Sequence, residues 1–400
     1  MCHLCLSSSE SAVAVLKKIG ALFLMLALIA ALNPVAAAQD SSANPDTQKQ
    51  VPGAEAGGPA GDVGPYTIPK KKTEEPPPPQ PKAPKNPPEL SGFSITRDVP
   101  LVNVNVMVTT KEGQFIPGLK KDNFRILEDG VPQTITNFSQ SEAPITAVLL
   151  VEFAATNYAF MVDALNASYS FASMLKPEDW VAVVSYDMKP HILTDFTQDK
   201  RQVLAALDQL RIPGFRETNL FDALYDTIDR LEGVEGRKYI ILVSSGRDTF
   251  SKLTYDKILK RIQGTRNITI FTVSTGKAFR EWVDAHYGSS FDVSMAMLDY
   301  LQADNEMRTF AQMTGGRAYF PQFQAEFPEI FRDLATSIRN QYTVAYHPTN
   351  TKLDGTYRKL KVEVVDPQTG KPLNIRDLKG HPLKYTIIAR QGYTAKHEVD

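Results

Sequence analysis

"TAVLLVEFAATN", Thr146 to Asn157, decides how this chain is read. Ala147 to Val151 is an unbroken apolar run, whereas a strand with one wet face would alternate apolar with polar. An unbroken run suits a strand covered on both faces by helices, as in a parallel sheet. Glu152 and Thr156 follow at the strand's carboxyl end among small residues, which is what a ligand-binding loop offers.

The same pattern repeats along the chain. "DWVAVVSYD" (Asp179 to Asp187), "RKYIILVSS" (Arg237 to Ser245) and "NITIFTVST" (Asn267 to Thr275) read as further strands, and "HILTDF" as a shorter one. Between them, "YAFMVDALNASYSFASMLK", "DKRQVLAALDQL", "TNLFDALYDTIDRLEG" and "YDKILKRIQGT" carry helical spacing, with Thr218 placed as an N-cap. "MAMLDYLQADNEMRTFAQMTGG" and "PEIFRDLATSIRNQ" add two more helices. Strands alternating with helices predict a doubly wound, Rossmann-like α/β domain over residues 145–340. "TGGRAYF" reads as a helix C-cap turning into a last strand.

The flanks speak a different language. Residues 91–144 hold "LVNVNVMVTT", which alternates with period two, and "NFRILEDGVPQTITNFSQ", whose Asp129-Gly130 pair marks a hairpin turn. Residues 341–395 hold "YTVAYHP", "YRKLKVEVV" and "LKYTIIARQGYTA", with "LDGTY" turning between the first two. Neither flank has enough strands for a core of its own, so together they are expected to form one β-sandwich interrupted by the α/β domain.

Upstream lies a targeting segment. Lys17 and Lys18 precede the apolar run Ile19 to Leu32, and Ala36-x-Ala38 offers a cleavage site, so residues 1–38 read as a signal peptide. Both cysteines, Cys2 and Cys5, lie ahead of that cut, which suits an oxidising destination. Residues 39–90 are Pro-rich and poor in large apolar side chains, as in a disordered linker. The mature protein is expected to be exported, to the periplasm, cell surface or medium, with no membrane span. Acidic and basic residues number 45 and 44, and no basic stripe interleaved with aromatics is present, so nucleic acid is not an expected partner.

Ligands of a doubly wound sheet bind beyond the carboxyl ends of its strands. Three loops should meet there: Glu152 to Asn157, "FRETNL" (Phe215 to Leu220) and "SSGRDT" (Ser244 to Thr249). An acid and several hydroxyls would suit a hard cation such as Mg²⁺. The histidines show no metal-ligand spacing, and there is no nucleophile elbow, Walker loop or HExxH, so an enzyme is not expected.

The arrangement resembles the von Willebrand factor type A domain. More narrowly, residues 97–395 are similar to the VWFA-related family described from Acidobacteria. "GQFIPGLKKDNFRILEDGVPQTITNF", "TNLFDALYDTI", "TGGRAYF" and "IRNQYTVAYHP…DGTYRKLKVEV" carry that resemblance. It implies a metal-ion-dependent adhesion site built from Asp-x-Ser-x-Ser, a Thr and a further Asp, holding Mg²⁺ or Mn²⁺. Here Glu152 stands for the first Asp, Ala154 and Thr156 for the two Ser, and Ser245 for the last Asp. Only Thr218 matches outright. Ala154 offers no side-chain ligand and Ser245 removes a carboxylate, so the site reads as degenerate, with Asp248 the substitute if its loop turns inward.

"GKAFREWVDAHYGSSFDV" (Gly276 to Val293) is expected as a loop leaving the same sheet edge. Its Trp282 and Tyr287, with Arg216 across the face, are the side-chain types that protein contacts favour. The function expected is a non-catalytic adhesion module binding a protein ligand through this face. The alternative is an envelope assembly component that docks through its sandwich.

Overall fold

The computed structural model describes residues 101–140, 144–155, 158–287, 291–376 and 379–395. The expected signal peptide, the Pro-rich segment and Thr156 lie outside the described residues.

The chain first lays down β1 (Val102–Thr110), β2 (Phe124–Glu128), β3 (Val131–Gln133) and β4 (Ile135–Gln140). Asp129 and Gly130 both take positive φ, 49° and 84°, as the two-residue turn joining β2 to β3 requires. The α/β part follows: β5 (Ile145–Glu152), α1 (Tyr158–Ser173), β6 (Trp180–Tyr186), β7 (Pro190–Thr197), α2 (Lys200–Leu207) and α3 (Leu220–Glu232). It continues through β8 (Arg237–Ser244), α4 (Tyr255–Gln263), β9 (Ile268–Ser274), α5 (Gly276–Tyr287) and α6 (Phe291–Thr314). It closes with β10 (Ala318–Tyr319) and α7 (Phe327–Arg339), before β11 (Tyr342–Tyr346), β12 (Tyr357–Val364), β13 (Tyr385–Ala389) and β14 (Gly392–Thr394).

The central sheet runs β10-β9-β8-β5-β6-β7, parallel throughout except for β7, which is antiparallel to β6. Every residue of β5 is buried. Ala147, Leu149 and Val151 face one core with Leu165 of α1, Val203 of α2 and Phe331 of α7. Val148 and Leu150 face a second core with Leu224 of α3, Ile258 of α4 and Phe310 of α6. Two covered faces explain the unbroken run, since each buried Val or Leu contributes roughly 1.5–3 kcal/mol.

The flanking strands form two further four-stranded sheets, β13-β1-β11-β4 and β14-β12-β2-β3. Each mixes strands from before and after the α/β part: Val104 pairs with Val344, and Ile126 with Val362. Val104, Val106, Val108, Ile126, Val344 and Tyr346 fill the space between them. The insertion leaves and returns side by side, because Gln140 pairs with Tyr342.

A clamp holds that junction. Asp179, ahead of β6, accepts the Ile145 amide at 3.1 Å and the Lys176 amide at 2.6 Å, and is ion-paired to Arg339 at the end of α7. One carboxylate therefore ties the first residue of β5 to the last of α7.

Two local expectations are corrected. "LKYTIIARQGYTA" is two strands in different sheets, split at Arg390 and Gln391. Gly392 permits the close crossing, because a Cβ there would sit 2.4 Å from the Arg358 carbonyl oxygen. "LDGTY" turns between β11 and β12 as expected, with Gly355 at φ 72°, and carries the chain from one sheet to the other. "GKAFREWVDAHYGSSFDV" is helical at both ends and not a loop. Ala278 and Val283 are buried, and the Phe279 ring lies 5.2 Å from Tyr300 of α6, which gives α5 an inward face.

Candidate functional site

Glu152 ends β5 with only 4% of its surface exposed. The sheet register sets Tyr186 beside it on β6, and Ser244 ends β8 on the other side. The Ser244 hydroxyl donates to Glu152 Oε2 at 2.7 Å, and the Ser245 amide donates to the same oxygen at 2.7 Å. The Ser245 hydroxyl lies 2.8 Å from Oε2 and 3.0 Å from Oε1. Behind them, the Tyr186 hydroxyl crosses β5 to donate to Ser244 Oγ at 2.7 Å. Burial raises the Glu152 carboxyl above its ordinary range, while the Ser244 and Ser245 bonds and the Arg247 charge draw it partly back.

The serine at 245 makes sense in this setting. A second carboxylate beside a buried first would need a cation between them. Serine supplies a proton instead.

The remaining donors are engaged in the same way. Ala154 is buried and contributes no oxygen, and the neighbouring Ala155 amide donates to the Phe215 carbonyl at 2.8 Å. The Thr218 hydroxyl donates to the Arg247 carbonyl at 2.7 Å, and its amide donates to Thr249 Oγ1 at 2.9 Å. Thr218 is not the helix cap expected of it. That position belongs to Asn219, whose side chain makes no capping bond. Asp248 does part of the work across the loop, accepting the Phe221 amide at 3.3 Å and the Ser251 hydroxyl at 2.6 Å. Burial raises Asp248, and the Ser251 and Phe221 bonds lower it in part.

Measured against a divalent cation, this donor set fits poorly. A hard cation needs converging oxygens with free lone pairs. Among the described residues no three His, Cys, Asp or Glu side chains converge on one point. Glu152 is held by protein donors and Asp248 is turned to the start of α3.

Around this sealed centre the edge is open. Arg216 is exposed on the α2–α3 loop, and Trp282 is 42% exposed on α5, its ring 4.7 Å from that of His286. Tyr287 ends α5, and its side chain lies outside the described residues. The sequence pattern alone does not single out Phe215 and Phe250, which are 48% and 50% exposed. Backbone bonds fix both beside the centre: the Phe215 carbonyl accepts from Ala155, and the Phe250 amide donates to the Thr218 carbonyl at 2.8 Å. An apolar residue in a loop with no helix or strand period is the available signal. Tyr186 and Ser244 are equally inconspicuous in the sequence, although both close apolar strands aligned with β5.

Beside them lies a pocket of about 360 Å³, lined by Arg247, Asp248, Tyr255, Asp299 and Glu306 among others. The Arg247 guanidinium sits 5.1 Å over the Tyr300 ring and 3.7 Å from Asp299. Burial raises Glu306, with a further push from the Asp248 charge.

The sequence pattern of the von Willebrand factor type A domain matches residues 134–247. The chain carries a von Willebrand factor type A domain. Solved structures resemble parts of it at low identity. A point mutant of the PilB minor pilin from Streptococcus sanguinis is 9% identical with a TM-score of 0.37, over 50% of this chain and 63% of that one. The von Willebrand domain of the type V pili tip protein Mfa5 from Porphyromonas gingivalis is 15% identical with a TM-score of 0.35, over 50% of this chain and 96% of that one. Proximal thread matrix protein 1 from the mussel byssus, with a zinc-occupied MIDAS motif, is 14% identical with a TM-score of 0.37, over 53% and 49%. This chain thus spans less than two thirds of the pilin and of the byssus protein. No curated protein matches it. At the carboxyl edge of this domain Glu152 and Ser245 are bonded to each other, and Ala154 is buried nearby.

Proposed function

We propose that this is an exported, non-catalytic adhesion module that binds a protein ligand through the carboxyl edge of its von Willebrand domain without a metal ion. The observation that carries this reading is the pairing of a sealed polar centre with an apolar rim. Glu152 takes its hydrogen bonds from Ser244 and Ser245, while Phe215 and Phe250 stand half-exposed on the loops bonded to that centre. Exposed aromatic side chains contribute most where they enter a partner's pocket. Trp282 of α5, with Leu298 and Leu301 of α6 at 55% and 48% exposure, adds apolar surface on the elements that follow β9. Arg216 and the pocket beside Arg247 supply charged groups that would orient the partner. The leader at residues 1–38 and the Pro-rich tether at 39–90 are the grounds for export. No described helix is long and apolar enough to cross a membrane.

The test is capture from an envelope extract with the whole protein as bait. Binding should be equal in millimolar Mg²⁺ and in EDTA, and should be lost in the variant Phe215→Ser, Phe250→Ser, Trp282→Ala. Capture that survives this variant but is lost on altering the exposed face of β4 would favour docking through the sandwich. A melting temperature that rises with Mg²⁺ or Mn²⁺ would show a working metal site and overturn the metal-free reading.

A further inference from the structure

A second site lies at the opposite edge of the central sheet. Arg266 and Asn267 precede β9, and against them the sandwich presents Arg358 of β12 and Arg390 between β13 and β14. These residues line a cavity of about 60 Å³, whose walls also include Pro348, Leu353 and Ala395. That volume corresponds to about four waters at ~15 Å³ each, or one small carboxylate on a short stem.

Among the described residues the charges lining this cavity do not cancel. Arg358 is 2% exposed and pairs with Glu128 at 3.2 Å. Glu128 Oε2 in turn accepts the hydroxyls of Tyr346 at 2.6 Å and Tyr393 at 2.8 Å. That carboxylate is therefore fully engaged with Arg358 and two tyrosines. Arg390 is 8% exposed, and among the described residues its guanidinium donates to two backbone carbonyls, those of Gly392 and Thr265, each at 2.9 Å. Carbonyl dipoles orient a guanidinium without neutralising it. Burial lowers the Arg390 pKa, the nearby Tyr357, Tyr346 and Tyr393 hydroxyls raise it in part, and the charge of Arg266 lowers it. A buried charge without a counter-charge is costly, and an anion in the cavity would remove the cost.

We propose that this cavity binds a carboxylate carried on a short apolar stem, with Arg390 and Arg266 as its counter-charges and Leu353 and Pro348 against the stem. Guanidinium forks match carboxylate geometry, and the apolar wall disfavours a bare, strongly hydrated ion. The source is either the carboxyl terminus of a peptide ending in a small apolar residue or a free short-chain acid. Because the cavity spans the loop before β9 and the sandwich, the bound anion would also brace the two parts against each other.

The experiment is calorimetric titration and thermal melting of the whole protein with propionate, with propionamide as the uncharged isostere and chloride held at constant ionic strength. Propionate is expected to bind saturably at one site and raise the melting temperature, and propionamide to do neither. Arg266 is exposed at the mouth, so Arg266→Gln should keep the fold while weakening propionate about fivefold. Arg390→Gln should abolish binding, and if it does not fold the Arg266→Gln titration still decides. A dipeptide Ala-Val with a free carboxyl terminus that binds more tightly than propionate, and not as its amide, identifies a peptide terminus as the source. Weaker binding than propionate identifies a free acid. No saturable propionate binding, an equal response to propionamide, or unchanged affinity in Arg266→Gln would overturn the proposal.

Discussion

Ser245 holds Glu152 twice, through its amide at 2.7 Å and its hydroxyl at 2.8 Å. The resemblance to the von Willebrand domain expects a metal-binding aspartate at this position, and the serine found here donates to the carboxylate instead. The chemistry runs in one direction. A buried carboxylate needs either a cation or protein N–H and O–H groups, and here Ser244 and Ser245 supply the second.

Ser245→Asp reverses that solution. It removes a hydroxyl donor and places a second carboxyl against a buried first. The expected cost is about 2–4 kcal/mol at pH 8, and less at pH 5, where one of the two carboxyls keeps a proton. Urea denaturation at the two pH values measures it. Combining it with Glu152→Asp and Ala154→Ser supplies the ligand types that the resemblance implies, so the triple variant should melt higher in millimolar Mg²⁺ than in EDTA while the parent does not. Equal melting of the triple variant in both would show that backbone geometry, and not ligand identity, has been lost.

The pH dependence has a definite sign. Burial raises the folded-state pKa of Glu152. The folded protein therefore holds that proton more tightly than the unfolded chain, whose glutamates titrate near about 4.3. Its stabilising contribution is full below that value and is lost as pH rises through the folded-state pKa. Glu152→Gln cannot titrate. The stability of the parent minus that of the variant should fall as pH climbs from about 4.3, then level off. Parallel stability curves from pH 4 to 8 would contradict this.

Gly316 is a steric test of the α6–β10 corner. Gly315 takes φ 79° after the end of α6, and the Gly316 amide donates back to the Ala311 carbonyl at 2.9 Å, closing the helix as "TGGRAYF" suggested. A Cβ on Gly316 would lie 1.9 Å from the Ile270 carbonyl oxygen of β9. Gly316→Ala should cost more than about 3 kcal/mol, a size reserved for specific steric or burial faults. Gly214 is the control: a methyl there would meet nothing within 4 Å, and its φ is not positive. Gly214→Ala should be neutral or stabilising by up to about 1 kcal/mol. Chemical denaturation of both variants reads the contrast.

The sequence showed the α/β core because burial on two faces leaves an unmistakable trace. Ala147 to Val151 had to be apolar whichever core each residue faced. The Asp129-Gly130 turn was equally plain, since few pairs accept two positive φ values. What the sequence hid were features created by tertiary neighbours. Arg390 sits inside what reads as one strand, and only the sheets on either side reveal that the chain crosses there. The helix α5 reads as a loop because its aromatics and charges are mixed, and its inward face is defined by Tyr300, 21 residues beyond Phe279. At the candidate site the loops of Glu152, Thr218 and Ser245 were expected to meet, and hydrogen bonds join Glu152 to Ser245 and Thr218 to Arg247. The direction of each hydroxyl could not be read from the sequence, and the direction is what decides whether an oxygen is free for a ligand.

Asp179 and Arg339 test whether the insertion is clamped at its root. Burial alone would raise Asp179, but the Arg339 bond and the amides of Ile145 and Lys176 outweigh it and hold its pKa below the usual carboxylate range. A depressed pKa contributes stability above the unfolded value of about 3.9, and that contribution is lost as pH falls through the folded-state value. Asp179→Asn leaves Arg339 without its partner, at an expected cost of about 3–5 kcal/mol at pH 7. The cost should shrink toward pH 2, where the parent too loses its charge. Arg339→Met in the Asp179→Asn background should recover part of the loss, because the uncompensated cation goes with it. Asp179→Asn should also unfold the sandwich and the α/β part in separate steps if the clamp is what couples them, since Ile145 and Arg339 mark where the chain leaves and rejoins the sandwich. A single cooperative transition with unchanged stability would mean that the Gln140–Tyr342 pairing and the packing of Met107 against the α/β core hold the two together without it.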